Sequence, residues 1–210
     1  MSHSQVAEAV RGMPTGTHAV LVYDSQKNKR DVLFDHLKLG VKTNGLVYAC
    51  SEESPGEIRR ELADEGVDVG GLEGKGVLSV KNYDDVYIVD GEVNIPQIIS
   101  GFSSLAWGYQ RQGLEGIRAS AEMSCFFHER KVGELVEYEK ALHREFSFPG
   151  RGICAYNLTE MVNSGGLELL WPILRAHKLV IMTGPNGSFA MEPEGVTKGD
   201  VEGTMGVTLG

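Results

Sequence analysis

Seven residues between an expected strand and an expected helix contain no glycine: DSQKNKR, Asp24 to Arg30. In nucleotide-binding α/β proteins that turn is usually a glycine-rich phosphate loop, G-x-x-x-x-G-K-[ST], whose glycines let backbone N–H groups converge on phosphate oxygens. Asn28-Lys29-Arg30 is all that stands in for G-K-[ST]. Lys29 supplies a charge, but Arg30 cannot replace the magnesium-binding hydroxyl, and side chains at Ser25, Gln26 and Lys27 disfavour the cradle. A polar turn capped by Asp24 or Ser25 is the plainer reading.

Other scarcities narrow the field. Three cysteines, Cys50, Cys125 and Cys154, are too few and too scattered for a disulfide framework and read as buried thiols. No apolar run approaches the ~20 residues of a membrane span. The first 16 residues lack the apolar core of a signal peptide, so a cytoplasmic location is expected. Basic charge is short: 20 Lys and Arg face 29 Asp and Glu, a net charge of -9. That balance opposes nonspecific attraction to nucleic acid or to anionic membranes. Neither G-x-S-x-G nor H-E-x-x-H occurs, so no catalytic residue is expected. Glu139 and His143 share a helix face at i, i+4 but lack a third ligand nearby in sequence, so no metal is expected either. His18, opening its strand, reads as a hydrogen-bonded core histidine.

What is present is an alternation of short apolar runs and amphipathic helices over 210 residues. HAVLVY, GLVYAC, VLSV, GIRASA, GICAYN and KLVIM read as buried strands, and VYIVDG as a further short one. SPGEIRRELADEG carries a capping box, Ser54 with Glu57, with Pro55 at the first helical position and Gly66 at the end. Asn94 and Pro96 open a helix with Ile98, Phe102, Leu105 and Tyr109 on one face. Leu135, Tyr138, Leu142 and Phe146 mark another, and Pro172 should kink or divide a later one. Continuously apolar strands alternating with helices predict an α/β fold, a mostly parallel sheet covered by helices on both faces. Residues 1–16 read as an N-terminal extension, and residues 193–210, rich in glycine, as a flexible or loosely packed tail.

One stretch and five ordered motifs carry resemblances. ACSEESPGEIRRELADEGVDV, Ala49 to Val69, resembles the region after the second core strand of RecA-like ATPases of the circadian-clock kind. There an acidic pair lies near the γ-phosphate, and Glu52 and Glu53 match it by position. GIRASAEMSCFF, LVEYEKALHREF, ICAYN and RAHKLVI, in that order after HAVLVY, resemble the MEDS domain, the methanogen/methylotroph sensory domain, over about residues 17–192. That resemblance implies a degenerate RecA-like fold, of the P-loop NTPase type without an intact phosphate loop. It implies sensing of small hydrocarbon derivatives in transcription or signalling, without enzymatic activity. The family's R-x-x-G-E-M-x-W stretch falls on Arg118, Ala121, Glu122, Met123 and Cys125, with alanine replacing the glycine and cysteine the tryptophan. E-Y-E falls on Glu137, Tyr138 and Glu139. C-x-Y-D falls on Cys154, Tyr156 and Asn157, and the late H-P has become His177-Lys178.

Ligand contact is therefore expected at Arg118, Glu122, Met123, Cys125 and Tyr156, at the carboxyl edge of the sheet where open α/β folds bind ligands. Arg118 and Glu122 read equally as a structural ion pair or as a pair orienting a polar ligand group. The expected partners are a small molecule, a regulatory protein in trans and further copies of the chain, with neither nucleic acid nor membrane. No cofactor is expected. The alternative is a weak ATP-binding protein or residual ATPase using Mg-ATP at Lys29, Glu52 and Glu53.

Overall fold

The computed structural model describes residues 3–209. Helix α1 (His3–Arg11) leads to strand β1 (His18–Tyr23), helix α2 (Gln26–Lys38) and strand β2 (Gly45–Cys50). Helices α3 (Pro55–Asp64) and α4 (Val69–Gly74) precede strand β3 (Leu78–Asn82). A 3-10 turn at Tyr83–Asp85 and an irregular stretch lead to helix α5 (Ile95–Arg111) and strand β4 (Ile117–Glu122). Helices α6 (Ser124–His128) and α7 (Val132–Leu142) are followed by strand β5 (Gly150–Asn157). Helices α8 (Leu158–Asn163) and α9 (Leu170–Ala176) precede strands β6 (Leu179–Gly184) and β7 (Gly187–Met191), then helix α10 (Lys198–Met205).

Among the described residues, seven strands form one sheet in the order β3-β2-β4-β5-β1-β6-β7. Every pairing is parallel except the β6–β7 hairpin. β1 sits between β5 and β6, and all six of its residues are buried, as the apolar run HAVLVY requires. Successive side chains of a strand face opposite ways, so β1 feeds two cores. Ala19, Leu21 and Tyr23 pack with Leu33, Phe34 and Leu37 of α2 and Ile58 and Leu62 of α3. Val20 and Val22 share the opposite core with Phe102 and Ala106 of α5 and Leu135 and Tyr138 of α7. Among the described residues no helix is long and apolar enough to cross a membrane.

The capping box at Ser54 is present, with Glu57 returning the bond to the Ser54 backbone N–H at 2.9 Å. Asn94 caps α5 through the Gln97 N–H at 3.1 Å. Pro172 lies in the first turn of α9, where its missing N–H costs nothing, and a 3-10 turn separates α9 from α8.

Four expectations need correction. VYIVDG is no strand: Tyr83–Asp85 turn in 3-10 geometry, and Val89 and Glu92 form an isolated bridge. The tail is packed rather than loose. Val201 and Met205 recur at i, i+4 on α10 and are buried, as is Leu209 beyond it, and Thr197 with Asp200 forms a second capping box. A Cβ on Gly184 of β6 would meet the Thr204 carbonyl oxygen at 2.4 Å, so the glycine is what seats α10 there. The N-terminal extension is likewise integrated, with Val6, Val10 and Met13 buried beside α2 and β7. Finally, Arg118 lies at the amino end of β4 and Glu122 at its carboxyl end. Four residues of strand rise separate them by roughly 13 Å, so the proposed ion pair does not form.

Candidate functional site

At the carboxyl edge, only Asp24 and Ser25 link β1 to α2. Ser25 accepts from the Asn28 N–H at 3.4 Å and Asp24 from the Asn28 side chain at 2.6 Å. The chain turns straight from strand to helix, with no loop of free N–H groups. Lys29, expected on a surface turn, is fully buried. Its ammonium lies 2.6 Å from Glu122, 2.9 Å from Glu53 and 3.7 Å from Glu52. Glu122 also accepts from the Tyr48 hydroxyl at 2.8 Å and from the N–H groups of Ser51 and Glu52 at 2.6 and 2.7 Å. Glu52 accepts from Tyr23, Ser124 and Gln26, and Glu53 from Arg30. Burial disfavours the Lys29 charge, but the carboxylates around it outweigh burial and raise its pKa. Burial likewise opposes ionisation of Glu52, and the hydroxyls of Ser124 and Tyr23 with Lys29 prevail and lower its pKa. The structure thus brings Lys29, Glu52, Glu53 and Glu122 together as a mutually matched cluster joining the ends of β1, β2 and β4.

The other expected ligand residues disperse. Arg118 reaches the His36 carbonyl oxygen at 3.5 Å; burial first, then Arg151, lowers its pKa to about 10. Met123 and Cys125 are wholly buried around the start of α6, and burial pushes the Cys125 thiol up to about 12. That places Cys125 in the core, far from the low-pKa setting of a reactive thiol. Tyr156 joins a second polar cluster that sequence reasoning missed.

This second cluster lies on the opposite face of the sheet, beneath α7. The Nε2 atom of His18 is 3.3 Å from Glu139 Oε2 and 3.4 Å from Cys154 Sγ. The Nε2 atom of His177 is also 3.3 Å from Glu139 Oε2. The Tyr156 hydroxyl donates to the other Glu139 oxygen. Each imidazole is anchored through Nδ1, His18 on the His143 carbonyl at 2.8 Å and His177 on the Ile173 carbonyl at 2.7 Å. His143 ends α7 at φ 57, ψ -178, a conformation costly for any residue but glycine, and from it supplies that carbonyl. Burial, then the neighbouring His177, lowers the His18 pKa to about 3. Burial opposes the Glu139 charge, but His177 and His18 with the Tyr156 hydrogen bond bring its pKa down to about 2. Glu139 is therefore ionised beside a neutral His18. Glu139 Oε2 and His177 Nε2 are buried with no hydrogen-bond partner. The i, i+4 partner suggested by sequence, His143, contributes its backbone and not its ring.

Beside this cluster lies a small apolar pocket of about 30 Å³. Cys154, Tyr138, Ala119, Ala121 and Phe146 are among its lining residues. A larger groove of about 400 Å³ runs between α5 and the irregular 83–94 segment, with Ser79, Lys81, Ile98 and the half-exposed Leu105 among its walls. Tyr87 and Phe102 line both hollows and form the partition between them. Tyr87 also stacks edge-on against Tyr138, the residue before Glu139, with ring centroids 5.6 Å apart. None of Arg118, Glu122, Met123, Cys125 or Tyr156 lines either hollow.

The sheet order, its single antiparallel edge hairpin and the strand-to-helix turn after β1 define a RecA-like α/β domain. Solved structures agree on the fold. A KaiC-like protein from the hyperthermophilic archaeon Pyrococcus horikoshii OT3 superposes with a TM-score of 0.54 at 17% identity, covering 81% of this chain and 72% of its own. A second Pyrococcus horikoshii OT3 structure gives a TM-score of 0.60 at 11% identity, covering 91% of this chain and 92% of its own. No curated protein matches the chain in sequence. The chain belongs to the MEDS family, the methanogen/methylotroph, DcmR sensory domain, whose profile matches residues 17–171.

Proposed function

We propose that this chain senses a small, partly apolar molecule, a hydrocarbon derivative, in the pocket beside Cys154, entered from the groove along α5. The observation that carries the reading is shared lining. Cys154 belongs both to the apolar pocket and to the polar cluster with unmatched acceptors. A ligand there would touch one polar centre and otherwise apolar walls, the usual make-up of a small-molecule site. A hollow of that size suits a molecule of a few heavy atoms, since one water needs ~10–15 Å³. Family membership supports the sensory role. The response would pass to a regulatory protein in trans, or between copies of the chain. Helix α5 borders the groove and leaves Trp107 45% exposed, which supports α5 as the element that would transmit it.

The alternative, a residual nucleotide site at Lys29, Glu52 and Glu53, requires Lys29 to leave carboxylates that already neutralise it. Ligand-observed NMR with a panel of one- to four-carbon alcohols and halomethanes tests the sensor. Saturable binding by a panel member, lost in Ala119→Leu with the fold intact, is expected. Absence of binding across the panel, or binding that survives Ala119→Leu, would overturn it.

A further inference from the structure

We propose that His18, Glu139, Cys154 and His177 form a divalent-metal site, with zinc the best-fitting cation. Their four ligand atoms lie within 4.8 Å of one another, and all four side chains are buried. Four separated parts of the chain supply them: the first residue of β1, the last turns of α7, the middle of β5 and the residue after α9. Zinc bound tetrahedrally at ~2.0–2.3 Å implies distances of ~3.3–3.8 Å between its ligands. The two Nε2–Oε2 distances of 3.3 Å and the Nε2–Sγ distance of 3.4 Å already match such edges.

The hydrogen bonds of the two rings agree with the distances. A backbone carbonyl can only accept, so each Nδ1 that faces one must carry its proton. In a neutral ring that leaves Nε2 as the lone pair aimed at Glu139 Oε2, an arrangement relieved by a proton on one Nε2 or by a cation shared among the ligands. Three acceptors directed at one another repel unless positive charge lies among them. The Cys154 thiol can donate to His18, while Glu139 Oε2 and His177 Nε2, 3.3 Å apart, close no well-formed hydrogen bond. Histidines anchored through Nδ1 on carbonyls, and a carboxylate held by a hydroxyl on its outer oxygen, are how metal ligands are commonly oriented.

The donor set selects the cation. Two imidazoles, a thiolate and a carboxylate suit zinc or cobalt, whereas magnesium and calcium prefer oxygen alone. Thiolate and carboxylate together carry two negative charges, so a divalent ion leaves the buried site neutral. The metal site stands on these four side chains and does not depend on the pocket taking a ligand. If both hold, Cys154 couples them, because it is at once ligand and pocket wall.

The test is metal analysis of the purified full chain, followed by chelation and titration with Co²⁺. One equivalent is expected to bind with the intense visible absorption of tetrahedral cobalt and a thiolate-to-cobalt band in the near ultraviolet. Zn²⁺ should displace it and raise Tm. Cys154→Ser should remove the near-ultraviolet band, and His177→Ala should abolish stoichiometric binding, with circular dichroism reporting the fold of each. A wild-type chain that binds no stoichiometric Co²⁺ or Zn²⁺ would overturn the site. So would a weak octahedral spectrum unchanged by Cys154→Ser, a result that would leave the pocket reading untouched.

Discussion

The sheet carries a buried charged cluster on each face, and the two are built on opposite terms. Around Lys29, an ammonium, two tyrosine hydroxyls, a serine hydroxyl, a guanidinium and two backbone N–H groups meet three carboxylates. Around Glu139, one hydroxyl serves one oxygen, and the other oxygen faces the Nε2 atoms of two imidazoles without a well-formed hydrogen bond. Buried polar groups are nearly always paired in native proteins. A cluster that closes on itself holds strands together, whereas one that does not close asks for something from outside. The cluster at the carboxyl edge is therefore matched internally, and the unmatched buried acceptors lie on the other face.

Substitutions should separate the two clusters sharply. Lys29→Met leaves Glu122 charged and buried beside Glu52 and Glu53, and should cost about 3–5 kcal/mol in denaturant unfolding. A loss near zero would mean that the cluster is not matched as drawn. Tyr48→Phe removes one hydrogen bond to the Glu122 carboxylate and should cost about 1.5–3 kcal/mol by the same measurement. His36, on the Lys29 face, is held neutral by burial and then by Arg118, its pKa well below 6.5. The unfolded chain therefore binds the extra proton between these values, so stability falls as pH drops below 6.5. Urea titrations at pH 7 and pH 5 should show a decline about 2 kcal/mol larger for wild type than for His36→Gln. The smallest effect belongs to the open cluster. In chelated protein, Glu139→Gln should shift stability by less than about 1 kcal/mol, because the amide keeps an acceptor for Tyr156 and can donate to an imidazole in place of the lost charge. In zinc-loaded protein the same change should remove the metal-dependent rise in Tm.

The frame was legible because its signals are local. Six apolar runs gave six of the seven strands, and Ser54 with Glu57 marked a helix start that the structure reproduces. β7 escaped because GSFAM is short and mixed, and α10 because glycines masked the short stripe of Val201 and Met205. The sites were less legible because their partners are remote. Lys29 and Glu122 are 93 positions apart, so nothing near DSQKNKR announced that its lysine would be buried. His18 and Cys154 are 136 apart. The motif positions Glu139, Cys154, Tyr156 and His177 had all been picked out along the chain. Read singly, Glu139 pointed to the wrong histidine, since helical spacing brings His143 near and only the sheet brings His18 and His177.

Equilibrium unfolding of the purified chain with and without millimolar Mg-ATP puts the matched carboxyl edge to the most direct trial. A nucleotide at 100 times its Kd would add about 2.7 kcal/mol. With Lys29 committed to Glu122 and Glu53, the two curves should coincide. A shift of that size, abolished by Lys29→Met at matched fold, would contradict the assignment and return the nucleotide site to DSQKNKR.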